Sequence, residues 1–260
     1  MSIITLTSDW NANDFYVGAI KGKILSGCRE AVIIDISHKI QAFNTSQAAF
    51  VLRNAYPNFP EGSIHMIFIN TEPSPEKPFL AVKSNGHFFI GTDNGIFSLI
   101  CGESPEKIVK LQTASSKSFS AFDIFSDAAC RLASGEEIEN LGSEVKHLNI
   151  RVPLRPTIED TTLTGSVIYI DSYQNAVTNI SKELFEKVAV NRNFDIYVQS
   201  KHYKIPVISE LYNDVPVGEL LALFNSIGLL EIAINNGNAA RLLNLDTNST
   251  VRVEFKEKKN

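Results

Sequence analysis

At 260 residues and 44% apolar content, the chain is long enough for one large domain or two modest ones. A formal net charge of −5 argues against a general nucleic-acid-binding surface. No apolar run approaches the roughly 18 residues a membrane span needs, and the opening MSIITLTSDW lacks the basic flank and apolar core of a secretory signal.

The cysteines, Cys28, Cys101 and Cys130, form neither a disulfide framework nor a metal-ligand spacing. A reducing cytoplasm is therefore the expected setting, with no metal.

Residues 3–7 predict a first strand, and the polar loop 8–14 ends in helix-capping residue types. Residues 15–25 predict a helix with Phe15, Ala19, Ile20 and Ile24 inward and Gly27 near its stop. Residues 31–36 predict a buried strand. Residues 45–56 predict a second amphipathic helix with Ala48, Ala49, Val51, Leu52 and Ala55 inward, closed by Pro57 and Pro60.

The run Ile64-His65-Met66-Ile67-Phe68-Ile69 reads as a strand buried on both faces. It breaks into Asn70-Thr71-Glu72-Pro73-Ser74-Pro75-Glu76-Lys77, where two prolines end the pairing. Ligands of open α/β sheets bind at the carboxyl ends of strands, so this loop either lines a site or is a solvated turn. Residues 79–82 and 88–91 predict a hairpin across Ser84-Asn85-Gly86. Residues 120–132 predict a strong helix, with Ser120 as cap, Asp123 as its capping-box partner and Gly135 as its stop.

Residues 151–162 read as a linker, with Pro153 and Pro156 as breaks. Beyond it the pattern turns to short β segments at 166–170, 194–198, 201–206, 229–234 and 250–255, with few helical intervals. The expected architecture is an α/β domain over residues 1–155, with a mixed, largely parallel sheet and flanking helices. A small C-terminal all-β barrel is expected over residues 163–260, with a ligand site between the domains.

Four separated stretches carry a resemblance. The first is Leu6-Thr7-Ser8-Asp9 with Asp14-Phe15-Tyr16-Val17-Gly18. The second is Asp35-Ile36-Ser37-His38-Lys39-Ile40 followed by Phe59-Pro60-Glu61-Gly62. The third is Asp93-Asn94-Gly95-Ile96. The fourth joins Ile170-Asp171, Asn175 and Thr178-Asn179-Ile180 to Ser226-Ile227-Gly228-Leu229-Leu230-Glu231 and Gly237-Asn238-Ala239-Ala240. In order and spacing they resemble the S-adenosylmethionine hydroxide adenosyltransferases, relatives of the bacterial fluorinase and chlorinase, from about Ile3 to Phe255.

The resemblance implies a homotrimer with sites between the N-terminal domain of one subunit and the C-terminal domain of the next. It implies attack of a nucleophile at C5′ of S-adenosylmethionine, with methionine expelled and no further cofactor. Water would give adenosine. Asp9 matches the ribose-binding aspartate, whose two oxygens suit adjacent hydroxyls; a turn or cap is the alternative. Asp171 matches the aspartate that holds the methionine ammonium, or is a hairpin residue. Asn175 matches the adenine-reading asparagine. Phe119 and Tyr173 fall where aromatics flank the nucleoside, although Phe119 also suits a core. Trp10 either stacks or packs, and Ser226 matches a residue near the amino-acid head, although Ile227 stands where some relatives carry an adjacent arginine.

Three positions depart from the hydrolytic pattern of aspartate, arginine and histidine: Asn70, Lys77 and Ser120 stand there. Asparagine accepts no proton, lysine lacks the planar fork, and serine needs a partner before it acts as base or nucleophile. Glu72, Glu76 and His38 are candidate replacement bases. Ala121 stands where the fluorinase carries a halide-contacting serine, which makes a halogenase the weaker reading. Three readings stay open: a hydrolase with a rebuilt water site, a nucleoside or S-adenosylmethionine sensor without turnover, and an enzyme with another nucleophile or substrate.

Overall fold

The computed structural model describes residues 2–11, 13–102, 104–112, 119–190 and 192–256. The chain divides into two compact units, Met1–Pro153 and Leu154–Asn260.

The first unit contains β1 (Ile3–Ser8), α1 (Phe15–Gly27), β2 (Val32–Ser37), α2 (Thr45–Ala55), β3 (Ile64–Phe68), β4 (Phe79–Ser84), β5 (His87–Thr92), α3 (Ile96–Cys101), β6 (Lys107–Leu111), α4 (Ala121–Ala133) and β7 (Gly142–Glu144). Its seven strands run in the order β2-β1-β3-β5-β4-β6-β7. The sheet is mixed. It is parallel from β2 through β1 and β3 to β5, and antiparallel from β5 through β4 and β6 to β7. Parallel pairing thus covers only half the sheet, because β6 and β7, short and without a clear apolar alternation, extend the β4–β5 hairpin.

The period of two in β3 explains the layers. Ile64, Met66 and Phe68 join Ile20, Ile24, Phe125 and Ala129 in a core under α1 and α4. Ile67 and Ile69 join Ala48, Leu52, Phe97 and Ile100 under α2 and α3. Both faces of the central strands are covered, so their sequences run apolar without alternation. Asn85 and Gly86, both at positive φ, form the tight β4–β5 turn, as the Asn-Gly pair requires. At Gly142 a Cβ would overlap the Lys110 carbonyl, so only glycine lets β7 pair with β6.

Several local expectations need correcting. Phe15 is 74% exposed and Ala19 is also exposed, so α1 buries only Ile20 and Ile24. Asp14 does not cap α1; its Oδ2 accepts the Asn11 N–H instead. Ser120 makes no side-chain cap on α4, because it is already in the αR region, directly after Phe119 at φ +62°.

The second unit contains β8 (Thr157–Glu159), β9 (Thr162–Ile170), β10 (Ala176–Ser181), α5 (Lys182–Ala189), β11 (Phe194–Val198), β12 (Ser200–Ile205), β13 (Leu220–Phe224), β14 (Leu229–Ile234), α6 (Ala239–Leu242) and β15 (Thr250–Phe255). The expected linker contains β8, which pairs antiparallel with β9. The remaining strands form a nearly closed antiparallel barrel in the order β12-β11-β15-β9-β10-β14-β13. Past β12, Ser209 donates its N–H to Ala222 of β13 and draws the open edges together. The barrel interior holds Leu163, Val167, Ile180, Ile196, Ile232 and Val253. Helix α5, absent from the sequence expectation, is started by Ser181, whose hydroxyl accepts the Leu184 N–H at 3.1 Å.

His65, inside the apolar β3 run, is fully buried in a short relay. Its Nδ1 lies 2.7 Å from the Thr5 hydroxyl and its Nε2 lies 3.1 Å from His87 Nδ1. Burial, with a smaller share from His87, pushes its pKa from 6.5 down to about 3. The folded state therefore holds His65 neutral where the unfolded chain protonates it. Between pH 6.5 and 3 the unfolded state binds more protons, and stability falls as pH falls. Urea unfolding at pH 7.5 and pH 5 is expected to show a loss of about 2 kcal/mol, and His65→Phe should flatten that dependence.

Candidate functional site

The residues singled out from sequence fall into two groups, one in each unit.

In the first unit β1 and β3 end side by side, and Asp9 continues the ladder by donating its N–H to the Phe68 carbonyl at 3.2 Å. The Asp9 carboxylate is tied on one side. Its Oδ2 accepts the backbone N–H of Phe43 at 2.9 Å and that of Asn70 at 3.3 Å. Both donors have left-handed backbone, Phe43 at φ +64° and Asn70 at φ +47°. Among the described residues Oδ1 has no such partner. The carboxylate thus stands between two loops with one oxygen open to a hydroxyl.

Trp10 is buried, not presented for stacking. Its ring packs 5.3 Å from Phe122, 4.6 Å from Phe68, 5.6 Å from Tyr16 and 6.2 Å from Phe119. Phe119 also stacks on Tyr16 at 5.3 Å. These rings floor the region beside Asp9 and carry Ser120, buried, at the head of α4.

Of the three departing positions, Asn70 meets Asp9 directly, but through its backbone. Lys77 is exposed in a tight turn, its N–H on the Ser74 carbonyl at 3.0 Å. The candidate bases fare differently. Glu76 is exposed; its own backbone N–H, then the Ser74 hydroxyl, hold its carboxyl below the ordinary range, with a minor share from Lys77. His38 is buried and engaged, with Nδ1 2.7 Å from Ser8 Oγ. Glu72 is exposed.

The 70–77 loop is anchored by a residue that sequence reasoning missed. Asn149 Nδ2 donates to the carbonyls of Glu76 at 2.6 Å and Asp93 at 2.7 Å. Its backbone N–H reaches the Asp93 carboxylate, whose pKa burial raises against the hydrogen bonds from Asn149 and Gly95. Phe43 was also missed. Nothing in a sequence marks a backbone N–H as an aspartate's partner, although a bulky residue five positions past His38 and 70% exposed is an unusual surface choice.

In the second unit Asp171, Tyr173 and Asn175 share the β9–β10 turn. Asp171 Oδ1 accepts the N–H groups of Tyr173 and Asn175 at 2.9 and 2.8 Å, and Oδ2 accepts Asn175 Nδ2 at 3.2 Å. That interaction uses one of the two Asn175 amide N–H groups and leaves the other, with the carbonyl oxygen, for a ligand. Tyr173 is 76% exposed.

Ser226 lies exposed in the β13–β14 turn, at the opposite end of the β10–β14 ladder. A buried carboxylate on β14 stands between the two turns. Glu231 accepts the Tyr212 hydroxyl at 2.7 Å and Asn225 Nδ2 at 3.0 Å. Burial, then Glu231, raise the Tyr212 pKa, and Asp171 adds to the shift. Among the described residues no group of three His, Cys, Asp or Glu side chains could hold a metal ion, and no helix is long and apolar enough to cross a membrane.

Residues 4–142 match the family model described as SAM hydroxide adenosyltransferase N-terminal domain, and residues 165–252 match that of the C-terminal domain. The chain belongs to the SAM hydroxide adenosyltransferase family.

A family member from Methanocaldococcus jannaschii, named (R)-S-adenosyl-L-methionine hydrolase, is 30% identical over 95% of this chain and 93% of its own. The protein of that name from Thermus thermophilus is 27% identical over 97% of this chain and 100% of its own. A fluorinase from Nocardia brasiliensis is more distant, at 23% identity over 97% and 96%. The crystal structure of an uncharacterized conserved protein from Thermotoga maritima matches with a TM-score of 0.86 at 27% identity, covering 96% of this chain and 99% of that one.

Asn149→Ala removes two hydrogen bonds at once and leaves the Glu76 and Asp93 main-chain carbonyls without that donor, while the backbone N–H on the Asp93 carboxylate stays. It is expected to cost about 1–3 kcal/mol, read as a lower urea midpoint with an unchanged slope.

Proposed function

We propose that the chain binds S-adenosylmethionine and hydrolyses it to adenosine and L-methionine. The observation that carries this reading is the half-tied Asp9 carboxylate at the carboxyl edge of β1, in a chain of the SAM hydroxide adenosyltransferase family. Oδ1 is free to receive the ribose diol while Oδ2 holds the carboxylate still.

In this reading Phe43, Phe119 and Tyr173 flank the nucleoside, with Trp10 packed behind Phe119. The Asn175 amide oxygen accepts from the adenine amino group. Asp171 meets the methionine ammonium; Ser226, in the turn at the other end of the β10–β14 ladder, is given no ligand contact in this reading.

The chemistry asks little of the leaving group. Water oxygen bonds to C5′, the C5′–S bond breaks with its electrons going to sulfur, and the sulfonium leaves as a neutral thioether. The attacking water must lose a proton. Asn70 cannot take it, and among the described residues neither the exposed Lys77 nor Ser120 is paired with a base. General-base help is worth about 10²–10⁴-fold, so turnover by positioning alone would be slow.

That loss also supports a second reading, a nucleoside or S-adenosylmethionine binding protein without turnover. We further propose a homotrimer that joins the two half-sites across subunits. The setting would be a reducing cytoplasm, as suits three free thiols.

Incubation with S-adenosylmethionine, with and without chloride, is expected to give adenosine and methionine above the protein-free control. Asp9→Ala and Asp171→Ala should each weaken ligand binding at least tenfold by calorimetry, as loss of a charge-assisted bond of about 1.5–3 kcal/mol implies. Binding without product would favour the sensor, and neither binding nor product would sink both readings. The triple variant Asn70→Asp, Lys77→Arg, Ser120→His is expected to hydrolyse faster. Light scattering checks the oligomer, and a monomer with full activity would overturn the trimeric site.

A further inference from the structure

Immediately behind Asp9 runs a second polar chain that the proposed reaction does not use. Strand β2 carries one extra residue against β1: Leu6 pairs with Asp35 and Thr7 pairs with Ser37, leaving Ile36 unmatched. Bulges of this kind bend a strand and re-aim its side chains near functional sites. Here Asp35 Oδ1 comes to 3.1 Å from Nε2 of His38, a close contact without the alignment of a hydrogen bond. Asp35 Oδ2 pairs with Lys21 of α1 at 2.5 Å. The other ring nitrogen, His38 Nδ1, lies 2.7 Å from Ser8 Oγ, and Ser8 Oγ lies 3.4 Å from the Trp10 N–H. Ser8 is fully buried and His38 nearly so.

The directions of these bonds follow from the charges. Burial favours a protonated Asp35, but Lys21 and His38 outweigh it and hold the carboxyl below its ordinary range. An anionic Asp35 beside Nε2 puts the ring proton there. Nδ1 is then an acceptor, Ser8 donates its hydroxyl proton to it, and a Ser8 lone pair faces Trp10 N–H. The two residues flanking Asp9 are thereby fastened to one imidazole, and the loop leaving that imidazole delivers Phe43 N–H to Asp9 Oδ2.

We propose that His38 is a positioning residue. Through Ser8 on one side and the 39–43 loop on the other, it fixes the Asp9 carboxylate for a ribose diol. It is not the base that takes the water proton, since its Nδ1 is taken by Ser8, its Nε2 faces the Asp35 carboxylate, and it is buried. This inference rests on the reading of Asp9 as the diol-binding carboxylate.

The test compares adenosine with 2′,3′-dideoxyadenosine, which lacks the diol, by calorimetry on the full chain. Wild type should prefer adenosine. His38→Ala should lose about tenfold in adenosine affinity and nothing for the dideoxy ligand, since its effect passes only through Asp9. Ser8→Ala should reproduce that loss, and the double variant should add little to it. His38→Asn keeps an acceptor near the Nδ1 position and should restore most of the preference; His38→Gln should not.

If either alanine variant weakens both ligands equally, or keeps the wild-type preference, the positioning role is overturned while the Asp9 reading stands. Ser8→Ala decides the matter should His38→Ala fail to fold. Wild type binding both ligands equally would overturn the diol assignment and this inference together.

Discussion

One carboxylate oxygen, Asp9 Oδ2, gathers backbone amides from positions 34 and 61 residues away in the chain. Three segments that leave the sheet at the same edge are thereby held in one arrangement: the turn after β1, the loop after β2 and the loop after β3. Both donors, Phe43 and Asn70, have left-handed backbone, which costs a non-glycine residue roughly 1–2 kcal/mol each. A hydrogen bond to an ionised carboxylate returns a comparable 1.5–3 kcal/mol or so. The two hydrogen bonds to Asp9 thus offset the backbone cost that the loops carry. The same group that is proposed to bind the ligand also orders the ground on which the ligand would rest.

Around that tie the architecture supplies rigidity at different ranges. The parallel strands are clamped between two helical layers, so the ends of β1 and β3 have little freedom. The aromatic cluster of Trp10, Tyr16, Phe68, Phe119 and Phe122 then fixes the approach to α4 from the Asp9 side. Asn149, arriving from the far end of the unit, pins the 70–77 loop to Asp93. In the second unit the β9–β10 turn is ordered by Asp171 in the same manner, a carboxylate closing its own loop. Both candidate binding carboxylates are therefore structural before they meet any ligand, which accounts for why a turn and a binding role were both readable from sequence.

Long, strongly patterned elements were legible: β3, α2, α4 and the β4–β5 hairpin were expected close to where they lie. Elements whose signal is tertiary were not. Strand β6 looks like an ordinary mixed segment until β4 pairs with it, and α5 is too short for its period to stand out. The capping role given to Ser120 rested on a residue pattern, but the left-handed Phe119 turns the chain into the helix one step early. The loop positions of Asp9, Asp171 and Asn175 were legible because motifs carried them; their ligand roles are the proposal made above. Phe43 and Asn149 were not, because what they contribute is a main-chain donor or a loop clamp, and neither has a residue-type signature. Likewise His38, a candidate base on composition, is buried with Nδ1 on Ser8 and Nε2 against Asp35.

Gly142 has a consequence at the margin of the sheet. Strand β7 is only three residues long, and it lies over β6 because position 142 has no side chain to meet the Lys110 carbonyl. An outermost strand so brief, ending in the exposed Ser143 and Glu144, offers a neighbouring molecule almost no ladder to extend. A bulkier residue there would lift β7 away and leave the longer β6 as an open edge. The absence of one methyl group thus decides which strand forms the margin of the sheet and how much unpaired backbone that margin shows.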